Sequence, residues 1–61
     1  MDDLDLLECL IYTKIYNTKY KIGIAGKRGN KELEKALINK LTGFEESLES
    51  LKEMQEELEN M

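Results

Sequence analysis

One segment of the chain resembles a phosphate-binding loop, the glycine-rich run GIAGKRG at residues 23–29. A glycine-rich loop before a helix can present backbone N–H groups to an anion, and basic side chains beside it add positive charge. The run lacks the Gly-Lys-Ser/Thr of a Walker A loop, and 61 residues cannot hold the βαβ sheet of a dinucleotide-binding fold. We therefore interpret the run as a turn between helices. The alternative is an anion site formed by Gly26, Lys27, Arg28, Gly29 and Lys31.

Three tyrosines recur every four residues, at Tyr12, Tyr16 and Tyr20, and lysines are interleaved with them. Aromatic rings beside cations can stack on bases while the cations neutralise phosphates. The same spacing suits the boundary of a helical core, where the ring packs and the hydroxyl reaches water. Because the chain carries a net charge of −4, which repels nucleic acid, we favour the boundary interpretation. The alternative keeps Tyr16 and Tyr20 as contacts for a nucleotide or a nucleic acid.

An acidic band of seven glutamates lies between residues 45 and 59. A carboxylate-bridged metal site in a helical bundle would also need the Glu-x-x-His pattern, and the sequence contains no histidine. The two serines, Ser47 and Ser50, have no plausible base beside them. We therefore expect no catalytic residue, no metal site, no cofactor and no enzyme activity. The band is typical of a solvated helix surface, and docking on a basic partner is the alternative.

Cys9 is the only cysteine, so the chain cannot form an internal disulfide, and we expect this thiol to be buried as a small hydrophobe. A lone cysteine also favours a reducing compartment. The first eight residues are acidic, whereas a signal peptide begins with basic residues. The longest apolar run has four residues, far fewer than a membrane span needs. We expect a soluble, cytoplasmic protein with no membrane partner.

The first element is predicted to be a helix over about residues 2–22, apolar on most of its circumference. One stripe at helical spacing consists of Leu4, Leu7, Ile11 and Ile15. Leu6 and Leu10 lie on a second face, and a single partner helix cannot cover both faces. Residues 17–24 also alternate as a strand would, but a short strand would have nothing in its own chain to pair with. We favour a frayed helix end there.

The second helix is predicted over about residues 31–59, after a turn at residues 23–29. Its apolar residues follow a heptad spacing that indicates packing against another helix. Gln55 is the one polar residue in that series, and Thr42 with Gly43 marks a possible break. The apolar series is Leu37, Leu41, Phe44, Leu48, Leu51 and Leu58.

Charge and length both favour a dimer. The net charge is −4 over residues 1–13, +6 over residues 14–40 and −6 over residues 41–61, a layout that favours antiparallel pairing within the chain or with a copy. A second helix of about 29 residues would overhang a first helix of about 19 residues by roughly 15 Å. The residues expected to contact another subunit or a partner are Leu6, Leu10, Leu51, Met54 and Leu58.

These patterns predict an all-α fold, a single domain over residues 1–61 in which a helical hairpin assembles as a homodimeric bundle or an antiparallel coiled coil. The predicted function is that of a small non-enzymatic regulator or inhibitor that binds itself and an unidentified protein. The small size and the Lys/Glu-rich composition of the chain suggest a phage or mobile-element protein directed at a host protein. The alternative is a dimer that binds a nucleotide or a nucleic acid through the basic turn and the tyrosines.

Overall fold

The structure, a computed structural model, describes residues 3–60. It contains two helices, α1 (Asp3–Lys27) and α2 (Lys31–Glu59), joined by a turn at residues 28–30. The helices run antiparallel and pack against each other, so the predicted all-α hairpin is confirmed. No strand occurs in the described range, and the hairpin measures 49 × 19 × 10 Å. Residue 2, the expected first residue of the first helix, lies outside the described residues.

Helix α1 continues five residues beyond its predicted end at residue 22, which corrects that boundary. Gly23 and Gly26 are helical, although a glycine costs a helix interior about 1 kcal/mol. Packing outweighs this cost, because Ala25 is only 1% exposed against α2 and Ile22 is half-buried. Gly26 also lies against α2, since a Cβ added there would be 2.7 Å from the Glu34 Oε2. The predicted seven-residue turn therefore shrinks to three residues.

The short turn is a Schellman motif that leads directly into the cap of α2. Gly29 has a φ of +71°, the left-handed conformation that favours glycine after a helix end. The Gly29 N–H donates to the Gly26 carbonyl, and the Asn30 N–H donates to the Ala25 carbonyl. The Asn30 Oδ1 then accepts from the Leu33 N–H at 3.2 Å and caps α2. Of the glycines in the run, Gly29 is the one that the chain reversal requires.

The two helices meet along a seam whose positions alternate at steps of three and four residues, as in a coiled coil. Every seam residue is buried or half-buried. The α1 positions are Leu4, Glu8, Ile11, Ile15, Thr18, Ile22 and Ala25. The α2 positions are Glu34, Leu37, Leu41, Phe44, Leu48, Leu51 and Gln55. The predicted α2 series thus matches the seam up to Leu51, whereas Leu58 is 54% exposed.

The seam of α1 differs from the predicted stripe at one position. Leu7 is half-exposed, and Glu8 occupies the seam in its place. The Gln55 Nε2 donates to the Glu8 Oε2 at 3.0 Å, so a polar pair closes the seam near the open end of the hairpin. A half-buried carboxylate is tolerated there because the amide of the opposite helix satisfies one of its oxygens.

The predicted overhang of α2 is also corrected. Helix α1 has 25 residues and α2 has 29, so the two lengths differ by only about 6 Å. Leu51 is consequently 6% exposed inside the hairpin and is not available to another subunit. Helix α2 runs unbroken through Thr42 and Gly43, and the Thr42 Oγ1 donates to the Ile38 carbonyl one turn earlier.

Candidate functional site

The first half of α1 exposes apolar side chains on the side that faces away from α2. Leu6 is 51% exposed and Leu10 is 50% exposed, and neither belongs to the seam. Leu7 is similarly exposed at the edge of the seam. Cys9 is exposed as well, contrary to the expectation of a buried thiol, because α2 covers one side of α1 only. Two of the predicted interface residues therefore lie together on an uncovered apolar surface.

The other predicted interface residues lie at the end of α2. Met54 is 52% exposed and Leu58 is 54% exposed, whereas Leu51 is buried in the seam. Leu58 lines a shallow groove with Leu4 and with the hydrogen-bonded pair described above. This end of the hairpin is thus a mixed polar and apolar surface, separate from the leucines on the outer side of α1.

The three tyrosines point in two directions. Tyr12 lies at the boundary with α2, where the Lys52 ammonium is 5.8 Å from the centre of its ring, a cation–π contact. Tyr16 and Tyr20 are 73% and 67% exposed on the side away from α2. The boundary interpretation therefore describes Tyr12, and the other two tyrosines extend the outer surface of α1.

The predicted anion site is only partly assembled. The N–H groups of residues 28–31 all donate to backbone carbonyls, and the Asn30 side chain accepts a hydrogen bond from the Leu33 N–H. Gly26 is helical and has the Glu34 carboxylate beside it, which repels an anion. The side chains of Lys27, Arg28 and Lys31 remain exposed around the turn.

The tyrosines do not join this basic cluster. Tyr16 precedes Lys27 by eleven residues on one helix, a separation of about 16 Å along the axis. Tyr20 is about 10 Å from the same lysine by that measure. The structure therefore brings the basic residues of the turn together and leaves Tyr16 and Tyr20 on the middle of the outer surface.

The outer side of α2 is polar along its whole length. All seven glutamates of the acidic band are exposed, and the other positions opposite the seam carry lysine, asparagine, threonine and serine. The large exposed apolar residues of α2 lie on the flanks of its seam or at its end and are Leu33, Ile38, Met54 and Leu58. Within residues 3–60, no group of three or more His, Cys, Asp or Glu side chains is placed to hold a metal ion. No helix among the described residues is long and apolar enough to cross a bilayer.

No protein-family model, curated protein or solved structure matches the chain. The features that indicate a function are therefore the exposed surfaces of the hairpin. The strongest of these is the outer side of α1, where exposed leucines and tyrosines are flanked by acidic residues at the start of the helix and lysines towards its end.

Proposed function

We propose that this protein is a non-enzymatic, protein-binding helical hairpin that acts as a homodimer and regulates or inhibits another protein. The observation that carries the proposal is the exposure of Leu6 and Leu10, each about half uncovered on the outer side of α1. Contiguous exposed apolar side chains on a small protein are typical of an interaction surface. A convex helical face suits another helix, whose ridges fit into its grooves, better than it suits a small molecule.

Burial of this surface favours association. Complete burial of a leucine contributes about 1.5–3 kcal/mol, so covering the exposed half of Leu6 or Leu10 contributes about 1 kcal/mol for each side chain. A symmetric dimer uses each contact twice, because both copies present the same patch. A chain this short also gains stability when a second subunit extends its core.

Regulation by binding requires a second surface that stays free in the dimer. The outer side of α2 meets this requirement, because it is acidic, exposed and on a different helix from the leucines. We propose that it docks on a basic surface of the regulated protein, where opposite charges accelerate association and set orientation. No catalytic group is needed for such a role.

The homodimer is tested by the mass in solution, measured by light scattering. We expect twice the chain mass of 7.1 kDa for the natural protein and a monomer for Leu6→Glu/Leu10→Glu. The matched control is Ile38→Glu/Met54→Glu, which alters two side chains of similar exposure on α2 and should leave the dimer intact. A natural protein that stays monomeric at all concentrations would contradict the homodimer.

The protein partner is tested by affinity capture with charge-reversal variants on α2. We expect the tagged natural protein to retain a partner that Glu46→Lys/Glu53→Lys loses, while the mass of the dimer stays unchanged. Asn39→Lys is the control, because it adds a positive charge on the same side of α2 without removing an acid. Equal capture by both variants would show that the acidic surface does not hold the partner.

A further inference from the structure

The outer side of α1 carries a second series of positions with coiled-coil spacing, opposite the seam. The steps between its members alternate between three and four residues along the whole helix. All members are exposed except Ile24, which is half-buried. The series, called the outer stripe below, is Asp3, Leu6, Leu10, Thr13, Asn17, Tyr20, Ile24 and Lys27.

The outer stripe is complementary to itself when it is read in opposite directions. Its first member is the acid Asp3 and its last is the base Lys27. Apolar residues lie inward from both ends, and the two central members, Thr13 and Asn17, are polar. A second copy turned end for end therefore brings acid to base, apolar to apolar and polar to polar.

We propose that a second copy of this chain docks on the outer stripe in antiparallel orientation, with Asp3 facing Lys27 of the second copy. This inference rests on the proposed homodimer and specifies its face, direction and register. In this register Leu6 faces Ile24 of the second copy, and Leu10 faces Tyr20 of the second copy. The two α1 helices then form the centre of the dimer, and each α2 lies outside its own α1.

Parallel pairing lacks this complementarity. It places Asp3 beside Asp3 of the second copy and Lys27 beside Lys27 of the second copy, so that like charges meet at both ends. It also aligns the two helix dipoles, whereas antiparallel helices oppose them. The acidic start and basic end of α1 thus favour the antiparallel direction on two separate grounds.

The polar centre fixes the register. The Thr13 hydroxyl donates to the Cys9 carbonyl at 2.9 Å, and its oxygen can still accept a hydrogen bond from the Asn17 amide of the second copy. A slip of one heptad would set Leu6 against Asn17 of the second copy, which would bury an amide against a leucine. A polar pair at the centre of a helix interface is a known means of selecting one register.

Lys14 is the lysine closest to the two-fold axis of this dimer, and the direction of its side chain is compatible with the antiparallel interface. The Lys14 ammonium lies 5.9 Å from the centre of the Phe44 ring, which belongs to α2 of the same chain. The charge is therefore drawn towards its own hairpin, to the side of the outer stripe. The like charges of the two copies do not meet in the interface.

The direction is tested by disulfide formation in a Cys9→Ser background. Positions 6 and 24 lie about 27 Å apart along one helix, far beyond the roughly 7 Å between Cα atoms that a disulfide allows. A bond between thiols introduced by Leu6→Cys/Ile24→Cys must therefore join two chains. We expect this variant to form a covalent dimer under mild oxidation, with peptide mapping linking position 6 to position 24.

The matched control is Leu6→Cys alone in the same background. Antiparallel pairing keeps its two thiols about 27 Å apart, so we expect no covalent dimer. A rapid disulfide in this single variant would show parallel pairing and overturn the proposal. If neither variant is linked while light scattering still shows a dimer, the outer stripe is not the interface, and the proposed homodimer survives. If the natural protein is a monomer, both proposals fail.

A charge exchange provides a second measurement that leaves the apolar residues unchanged. We expect Asp3→Lys and Lys27→Asp each to raise the dissociation constant of the dimer about fivefold, because each variant creates two like-charge contacts. The combination Asp3→Lys/Lys27→Asp restores opposite charges and should bind more tightly than either single variant. A combined variant that is weaker than both would contradict the antiparallel register.

Discussion

The two helices of this hairpin share one seam but differ on their outer sides. Helix α2 is apolar on the seam and polar on the side opposite the seam, and its large exposed apolar residues lie on the flanks between those two sides or at the end of the seam. Helix α1 packs along the same seam and also exposes leucines and tyrosines on the opposite side. A helix with two apolar sides needs two partners, and the hairpin supplies one of them.

This difference assigns separate tasks to the two helices. Helix α1 supplies half of the monomer core and, in our proposal, the contact between monomers. Helix α2 supplies the other half of the core and an acidic surface that remains in solvent. We therefore expect a substitution in the seam to change the free energy of unfolding. We expect the same substitution on the outer side of α1 to change the dissociation constant of the dimer.

The largest expected effect comes from Leu51→Ala, compared with Leu10→Ala. Leu51 is 6% exposed in the seam, so we expect its truncation to lower the free energy of unfolding by about 2–4 kcal/mol, most of what so small a core supplies. Leu10→Ala should change the unfolding of the monomer by less than about 1 kcal/mol, because half of that side chain already contacts water. Urea unfolding followed by circular dichroism measures both at low protein concentration.

The dissociation constant of the dimer should show the opposite order, with the larger change for Leu10→Ala than for Leu51→Ala. Sedimentation equilibrium of Leu10→Ala should show a weaker dimer, since the truncated side chain belongs to the outer stripe. An equal loss of monomer stability in both variants would mean that Leu10 is covered within the hairpin as fully as Leu51. That result would remove the distinction between seam and outer stripe.

A smaller effect on the free energy of unfolding is expected from the polar pair in the seam, Glu8 and Gln55. Gln55→Ala leaves a half-buried carboxylate without its amide donor, and we expect this to lower the free energy of unfolding by about 1–2 kcal/mol. Glu8→Leu/Gln55→Leu should be at least as stable as the natural protein, because both polar groups are removed together. Thermal unfolding of the three proteins measures the difference. A double variant less stable than Gln55→Ala would show that the pair stabilises the seam beyond satisfying its own groups.

The sequence predicted the all-α hairpin because heptad spacing in α2 is a strong signal for helix packing. The heptad series from Leu37 to Leu51 lies in the seam, as that spacing predicts. The predicted overhang of Leu51 is wrong, because it depended on where α1 ends. That end depended in turn on whether two glycines would stop a helix, which is decided by packing against α2 and not by propensity.

Two features of α1 had weaker signals in the sequence. Glu8 is absent from the predicted apolar stripe of α1, and its hydrogen bond to Gln55 explains how a carboxylate is accommodated in the seam. The outer stripe was represented by Leu6 and Leu10 alone. Its spacing continues through Thr13, Asn17 and Tyr20, but polar residues in such a series do not by themselves indicate an interface. The dimer itself, the protein partner and the anion site stay predictions.

The smallest expected effects are gains in stability from two glycines that lie inside helices. Gly23 in α1 and Gly43 in α2 are both exposed, and a Cβ added at either position meets no atom within 4 Å. We expect Gly23→Ala and Gly43→Ala each to raise the free energy of unfolding by about 0.5–1 kcal/mol, because alanine loses less backbone entropy in a helix. Urea unfolding measures both variants against the natural protein.

Gly29→Ala is the control of opposite sign. Its φ of +71° is unfavourable for an alanine by about 1–2 kcal/mol, although space around it is open. If Gly23→Ala is destabilising and Gly43→Ala is not, then α1 ends before residue 23 in solution. The seam of α1 would then be shorter than that of α2, Ala25 would leave the core, and Leu37, which lines a cavity with Ala25, would be the first α2 residue to examine for greater exposure. Equal gains at both glycines would instead show that the two helices are intact over the same length, so that their difference lies in their outer surfaces alone.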